Sequence, residues 1–346
     1  MFHRQTVEWL LEPAEPSVRY FTLKYLLDKP EDDPEVLTSK AMLMSVGPVA
    51  DILSRQNADG GFLTRKMGDT YGEAVALTGY QPKYKATTWQ LLFLAQLGAD
   101  GEDTRVKRLC EYVLDKNYSP EYGVLGIDVK WPGSEGTEFR ALPCFVANMV
   151  WALSTLGYHR DSRVQDSLKW LLHYQRFDDG DFKTPDEWPY RGKKDRCFGR
   201  HTCFSGVTRA LKAMTVVPSE ERTAEMQRFI DKATEFILLH RLYRRNHGTG
   251  RPIRVEFTMP TFPLVHYDDL ISVVDTLQQL SISDPAIDET LALIRNLQTP
   301  EGRWKMAYTM NRSSTYASFG TRGKESKWIT LRALKVLKTR SGLSRF

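Results

Sequence analysis

The stretch Gln56-Asn57-Ala58-Asp59-Gly60-Gly61-Phe62 is written twice more in this chain, with variations. The other copies are Gln175-Arg176-Phe177-Asp178-Asp179-Gly180-Asp181-Phe182 and Gln298-Thr299-Pro300-Glu301-Gly302-Arg303-Trp304. Each follows an apolar run of helical period and closes on an acidic residue, a glycine and an aromatic ring. Glycine permits the left-handed backbone that ends a helix, and a large ring packs between neighbouring repeats. These turns read as structural. A sentence repeated along the chain predicts a repeat architecture.

A second phrase alternates with the first. It is an Asp, a small residue or Pro, a variable residue, then Val or Ile. It occurs at Asp33-Pro34-Glu35-Val36, Asp103-Thr104-Arg105-Val106, Asp161-Ser162-Arg163-Val164 and Asp284-Pro285-Ala286-Ile287. An Asp at the N-cap accepts from the orphan N–H groups of a first helical turn, and Pro is tolerated at the first helical position. Outer helices are therefore expected over 34–56, 103–116, 161–175, 220–245 and 285–298. The helices between them are apolar on most sides, as in Trp89-Gln90-Leu91-Leu92-Phe93-Leu94-Ala95, which predicts burial on most sides. These inner helices should begin near Ser17, Ala86, Cys144, Cys203, Asp269 and Lys327, at intervals of roughly 60 residues.

The sixth outer element is missing at the C-terminus. Thr6-Val7-Glu8-Trp9-Leu10-Leu11 matches the outer-helix ending Leu168-Lys169-Trp170-Leu171-Leu172 and can supply it. The expected fold is all-α: one domain over 1–346, an (α/α)6 toroid of six inner and six outer helices, with an N-terminal helix at 2–12 closing the outer ring. A closed ring removes the exposed ends that repeat arrays otherwise cap. An open helical solenoid is the alternative.

Composition agrees with a packed helical protein. Hydrophobic residues make up 41% of 346 residues and charged ones 26%, enough for a large core under an ordinary surface. Charges interrupt the apolar runs, so no transmembrane helix is expected. The N-terminus lacks a signal core, and the reading is cytoplasmic. Cys110, Cys144, Cys197 and Cys203 are too few for a disulfide framework in a chain this long.

Element order also locates chemistry. The connections into the inner helices are long: 63–85, 123–143, 183–202, 246–267 and 305–326. Those leading back out are short. Long loops on one face of an array mark the functional face, and six helix N-termini point there. The same loops are basic, with Lys83, Lys85, Arg140, Arg191, Lys193, Lys194, Arg196, Arg200, Arg251, Arg254, Arg322 and Lys324. Such a mouth suits a diphosphate, another phosphate ester or an acidic polymer. Solvated loop charge is the plainer reading. Val265-His266-Tyr267-Asp268-Asp269-Leu270 leads into the fifth inner helix, where Asp268 also fits as an N-cap.

The Gln-x-x-x-Gly-x-Trp/Phe turns on helical hairpins of this length resemble the repeats of the squalene cyclase and protein prenyltransferase superfamily, over about residues 10–340. That resemblance implies an aromatic cavity inside the ring and an isoprenoid substrate. It implies that His266-Tyr267-Asp268-Asp269 stands where cyclases carry Asp-x-Asp-Asp. Asp268 would then be the general acid, flanked by His266 and Asp269. His266 departs from the family's first Asp and Leu270 from its usual Thr. For a prenyltransferase the resemblance implies zinc on Cys144 and His201, with Cys203 or Cys197 standing in for a third ligand. The family's Asp is Leu142 here. Substrate contacts would fall to Lys83, Lys85, Trp89, Arg140, Arg200, Phe204, Tyr267, Arg322 and Trp328.

No P-loop, Gly-x-Gly-x-x-Gly, Gly-x-Ser-x-Gly, His-Glu-x-x-His or Asp-Asp-x-x-Asp occurs, so no nucleotide cofactor and no nucleic-acid partner is expected. Three functions fit. One is an enzyme acting on an isoprenoid by proton-initiated cyclisation or prenyl transfer. Another is a non-catalytic toroid holding an apolar or anionic small molecule or a partner subunit. The last is a toroid degrading an acidic polysaccharide through His266, Tyr267 and Asp268. Peripheral membrane contact is compatible with the first two.

Overall fold

The computed structural model describes residues 3–130, 135–180, 182–190, 197–246, 250–265, 267–310 and 312–341. The chain is mostly helical. In order it forms α1 (Arg4–Leu10), α2 (Pro16–Tyr25), α3 (Pro34–Leu43), α4 (Pro48–Leu53), α5 (Arg65–Tyr71), α6 (Glu73–Leu77), α7 (Thr87–Leu97), α8 (Thr104–Asn117), β1 (Tyr118–Ser119), β2 (Val124–Leu125), β3 (Ile127–Val129), β4 (Glu138–Arg140), α9 (Pro143–Leu153), α10 (Ser162–Tyr174), α11 (Phe204–Met214), α12 (Ala224–Leu239), α13 (Leu270–Gln279), α14 (Pro285–Asn296) and α15 (Lys327–Ser341). The apolar helices α2, α7, α9, α11, α13 and α15 begin within one residue of the positions expected from the sequence.

The aspartate caps are all made. The carboxylates of Asp33, Asp103, Asp161 and Asp284 accept from the backbone N–H two residues on, at 2.8, 2.8, 2.9 and 2.8 Å. Each such cap contributes about 1 kcal/mol to its helix. Arg105 and Arg163 fold back onto their own capping aspartates and hold those carboxyls below the usual carboxylate range. The turn glycines Gly60, Gly180 and Gly302 have φ of 96°, 107° and 77°, where a side chain is strained.

Chain contacts divide the protein into two compact units. The first holds residues 1–54, 96–100 and 238–346. Here α2 packs on α3 and α15, while α13 packs on α14 and α15. The first helix and the last also touch, α1 against α15. Lys327 of α15 pairs with Glu12 at 2.7 Å. Trp304, from the third repeated turn, is fully buried. Its backbone N–H donates to the Thr330 hydroxyl at 3.0 Å and its indole N–H to the Ile294 carbonyl at 2.7 Å.

The second unit holds residues 55–95 and 101–237. Here α9 is the hub, packed against α10 and α11. Almost every residue of α7, α9 and α11 is buried, whereas α10 buries only Val164, Ser167, Leu168, Trp170 and Leu171 along one stripe. Gln56 ties the first repeated turn down by donating to the carbonyls of Gly60 and Arg105, at 2.9 and 2.8 Å. Phe62 copies Trp304: its backbone N–H reaches the Thr87 hydroxyl at the start of α7, 3.1 Å away.

Several expectations are corrected. The helix expected over 34–56 is broken into α3 and α4, because Gly47 turns left-handed (φ 80°) and Pro48 restarts the helix. The helix expected over 220–245 is shorter at both ends, Ala224–Leu239. It stops before Arg241 and Leu242, which both take positive φ. The loop 123–143 contains β3 and β4 as an antiparallel ribbon, and β2, at its start, pairs with β1. Among the described residues, the segment Pro34–Leu53 has the length and composition of a membrane span, which does not by itself overturn the expectation of none. Buried core helices pass the same test, and 44% of that window is buried inside the protein.

Candidate active site

In the first unit, Asp269 organises the entry to α13. It, and not Asp268, is the N-cap: its carboxylate accepts from the Ser272 N–H at 2.9 Å. It also accepts from the Thr261 N–H at 2.9 Å. Arg332 of α15 completes the shell with a two-pronged contact, at 2.7 and 3.0 Å, and donates a further bond to the Thr261 carbonyl. Asp269 is 2% exposed, so these bonds replace its lost water. This leaves Asp269 fully engaged as a structural anion.

Asp268 is equally buried, and the hydroxyl of Ser272 donates to it at 3.0 Å. The loop carrying it is stapled in place. The Gln96 side chain grips the backbone of Leu264 from both sides, at 2.9 and 2.8 Å. Thr309 donates to the Phe262 carbonyl at 3.0 Å. Aromatic rings surround the segment: Phe262 lies flat on Trp328, centroids 4.0 Å apart, and edge-on to Phe319. Tyr267 packs edge-on to Phe257 and carries the Arg254 guanidinium over its face at 4.5 Å. Arg322 and Lys324 are exposed. His266 lies outside the described residues.

The remaining sequence candidates belong to the second unit. Trp89 is buried between Tyr80 and Tyr84, with its indole N–H on the Tyr80 carbonyl at 3.0 Å. Lys83 sits 5.7 Å from the Tyr80 ring centroid, and Lys85 is half-buried. Arg140 is 1% exposed and paired with Glu138 at 2.7 Å, so it is a buried structural cation rather than a mouth residue. Arg200 donates to the Gly180 carbonyl. Phe204 is buried near Phe236. Arg191, Lys193, Lys194 and Arg196 lie outside the described residues.

The thiols Cys144, Cys197 and Cys203 come together at the start of α9 and α11. Burial, reinforced by the two neighbouring thiols, pushes the Cys144 thiol well up; Arg209 pulls weakly the other way. Cys144 is half-buried and does not line the adjoining cavity. That cavity measures about 10 Å³, room for one water-sized guest. Pro143, Tyr174, Arg176 and Phe198 form its walls, and Gln175, Thr202, Cys197 and Cys203 add polar atoms and sulfur.

His201 does not join these thiols. It is 61% exposed in its side chain and its Nδ1 meets Asp179 at 2.9 Å. Among the described residues, no group of three or more His, Cys, Asp or Glu is placed to hold a metal ion. The expected Cys144, His201 and Cys203 set is thus not assembled as ligands, because the imidazole is spent on the repeated turn.

Arg332 and Ser272 escaped the sequence reading. The available signal was the single charge, Arg332, in the run Trp328–Leu334, since a cation there needs an acid from elsewhere.

No protein-family model matches this chain. No curated protein matches it either. Among solved structures, a variant of the type II terpene cyclase MstE from Scytonema, in complex with geranylgeranyl dihydroxybenzoate, aligns over 98% of this chain and 99% of its own. Identity is 13% and the TM-score 0.42, too low to infer a shared fold or reaction.

Proposed function

We propose that this chain is an (α/α)6 toroid that processes an isoprenoid by proton-initiated cyclisation, with Asp268 as the acid. Support for the ring comes from the alternation of buried and Asp-capped helices and from the contact of α1 with α15. The observation that carries the chemistry is the burial of the Asp268 carboxylate at the entry to α13, beside a neighbour that holds the structure. Asp269 holds the cap and the Arg332 pair; Asp268 is buried and accepts from the Ser272 hydroxyl. Protonating an alkene or epoxide needs an acid shielded from water whose anion is supported once the proton leaves. Ser272 is placed to support that anion, and Arg332 keeps the neighbouring charge compensated. The rings of Phe262, Trp328, Phe319 and Tyr267 belong to the same unit, and ring faces stabilise cations.

His266 precedes the acid by two residues in the sequence. Arg322, an exposed basic loop residue of the same unit, would hold an anionic head. The test is incubation with linear polyprenyl substrates, with and without a terminal diphosphate or epoxide, and analysis of products by mass spectrometry. Wild-type protein should yield cyclic products isomeric with the substrate, and Asp268→Asn should yield none while keeping its helical spectrum. Equal turnover by Asp268→Asn removes the acid from the proposal. A folded wild-type protein that binds isoprenoid but makes no product makes it a binding toroid.

A further inference from the structure

We propose that an arginine-bearing ribbon in the first unit, between Arg241 and Arg254, docks this protein on an anionic lipid surface. The assignment does not depend on the chemistry at Asp268. Residues 240–255 carry five arginines, no lysine and no acidic residue. All five, Arg241, Arg244, Arg245, Arg251 and Arg254, are exposed.

Local contacts build the ribbon and present it. An antiparallel bridge pairs Arg244 with Pro252. The Arg245 N–H donates to the Arg251 carbonyl and the Ile253 N–H to the Tyr243 carbonyl, both at 2.8 Å. The root is fixed, because Leu242 and Tyr243 are buried and the His240 Nδ1 donates to the Arg244 carbonyl at 2.9 Å. Towards the far end, Gly250 turns at φ 61°, and nothing stands within 4 Å of where its Cβ would be. That end of the ribbon is unpacked.

The register calls for an anion. It sets Arg245 directly opposite Arg251, and like charges facing each other across a ribbon destabilise it. Arg241 is paired with Glu289, and Arg254 lies 3.7 Å from Glu256. Among the described residues, Arg244, Arg245 and Arg251 form no ion pair. Anions seated between them relieve the repulsion. The planar guanidinium fork matches phosphate with two bonds, which an ammonium does not, and every cation between Arg241 and Arg254 outside 247–249 is an arginine.

The apolar neighbours favour lipid over other polyanions. Val255, next to Arg254, is 63% exposed, the most of any large hydrophobic side chain among the described residues. Leu239, two residues before Arg241, is 51% exposed. Cations flanked by exposed aliphatic groups suit the headgroup boundary, where charge meets phosphate and methyl groups enter the acyl region. Binding a nucleic-acid strand relies on exposed rings that stack on bases, and the ribbon's Tyr243 is only 7% exposed.

The test is co-sedimentation of the full chain with vesicles of phosphatidylcholine, alone or mixed with phosphatidylglycerol. The chain should bind the mixed vesicles and not the neutral ones, and about 0.5 M salt should release it, since exposed charges are screened. One arginine near a charged leaflet is worth about fivefold in partition. Arg244→Ala, Arg245→Ala and Arg251→Ala together should therefore weaken binding about a hundredfold, with no fall in the melting midpoint. Val255→Ser should weaken it about fivefold and leave the salt dependence unchanged. Alanines at the exposed Arg65, Lys66 and Arg108 remove the same charge and should leave binding nearly as it was. Equal losses in the two triple variants, equal binding to neutral vesicles, or no binding to charged ones overturns the assignment. So does tighter binding of polyglutamate or a single-stranded oligonucleotide through the same arginines, which gives the ribbon to a different polyanion.

Discussion

Replacing Asp269 by Ala should destabilise the protein by about 4 kcal/mol. Two losses add. The cap on α13 goes, at about 1 kcal/mol. The Arg332 guanidinium, whose side chain is 17% exposed, is left facing the vacancy, and removing one partner of a buried pair costs about 3–5 kcal/mol. Arg332 keeps its bond to the Thr261 carbonyl, which holds the sum to the lower part of the range. An unfolding entropy of about 2.1 cal/mol/K per residue gives roughly 0.7 kcal/mol/K for this chain, so the melting midpoint should fall about 6 °C. Arg332→Met should cost a similar amount, because it strands the Asp269 charge. The double variant Asp269→Ala with Arg332→Met should cost clearly less than the two singles together, by about 2 kcal/mol. Thermal and urea melts followed by far-UV circular dichroism measure all four proteins. Raising salt to about 1 M should change these differences little, since a buried pair is poorly screened. A loss under about 1 kcal/mol for Asp269→Ala, or strict additivity in the double variant, would refute the claim that this pair anchors the entry to α13.

Gly60→Ala should cost about 2–4 kcal/mol, because φ is 96° and the new methyl would lie 2.3 Å from the Arg108 carbonyl oxygen, a backbone atom; a melting curve unchanged from wild type contradicts this. Asp103 and Asp161 have depressed folded values, so their stabilisation is complete above the unfolded carboxylate value of about 3.9 and is lost as pH falls through the folded value. Acid titration of stability should therefore show a decline below about pH 4 that is shallower in Asp161→Asn, and identical slopes would count against the Arg163 contact. Burial, with Glu111 adding, pushes the Cys110 thiol up to about 12, so iodoacetamide at pH 8 should leave it unlabelled in the folded protein and label it readily in denaturant. Equal labelling in both states would show that the α8 face is not packed as described.

Much of this architecture was legible because its punctuation is local. An Asp followed two residues later by its N–H partner is a self-contained helix start. So is a Pro at the first helical position, and so Asp33, Asp161 and Asp284 marked their helices correctly. The repeated turns were readable for the same reason, since glycine at positive φ is a one-residue requirement. What failed depends on distance. Nothing in Asp268-Asp269 says which of the two will cap; the choice is made by Arg332, 63 residues away in sequence. His201 was read as a ligand from its chain neighbours, whereas Asp179, across an isolated bridge, takes its imidazole. Arg140 read as loop charge, yet the β3–β4 ribbon folds it inward against Glu138. Short ribbons of two or three residues carry too little periodicity to be seen in advance.

The central claim is that Asp268 carries the proton. The most direct measurement is turnover of a linear polyprenyl substrate in deuterated water, for wild type and for Asp268→Asn. The account predicts cyclic product carrying one solvent-derived deuterium from the wild type and no product from the folded variant. Cyclic product from Asp268→Asn at the wild-type rate, or wild-type product without deuterium, would contradict it.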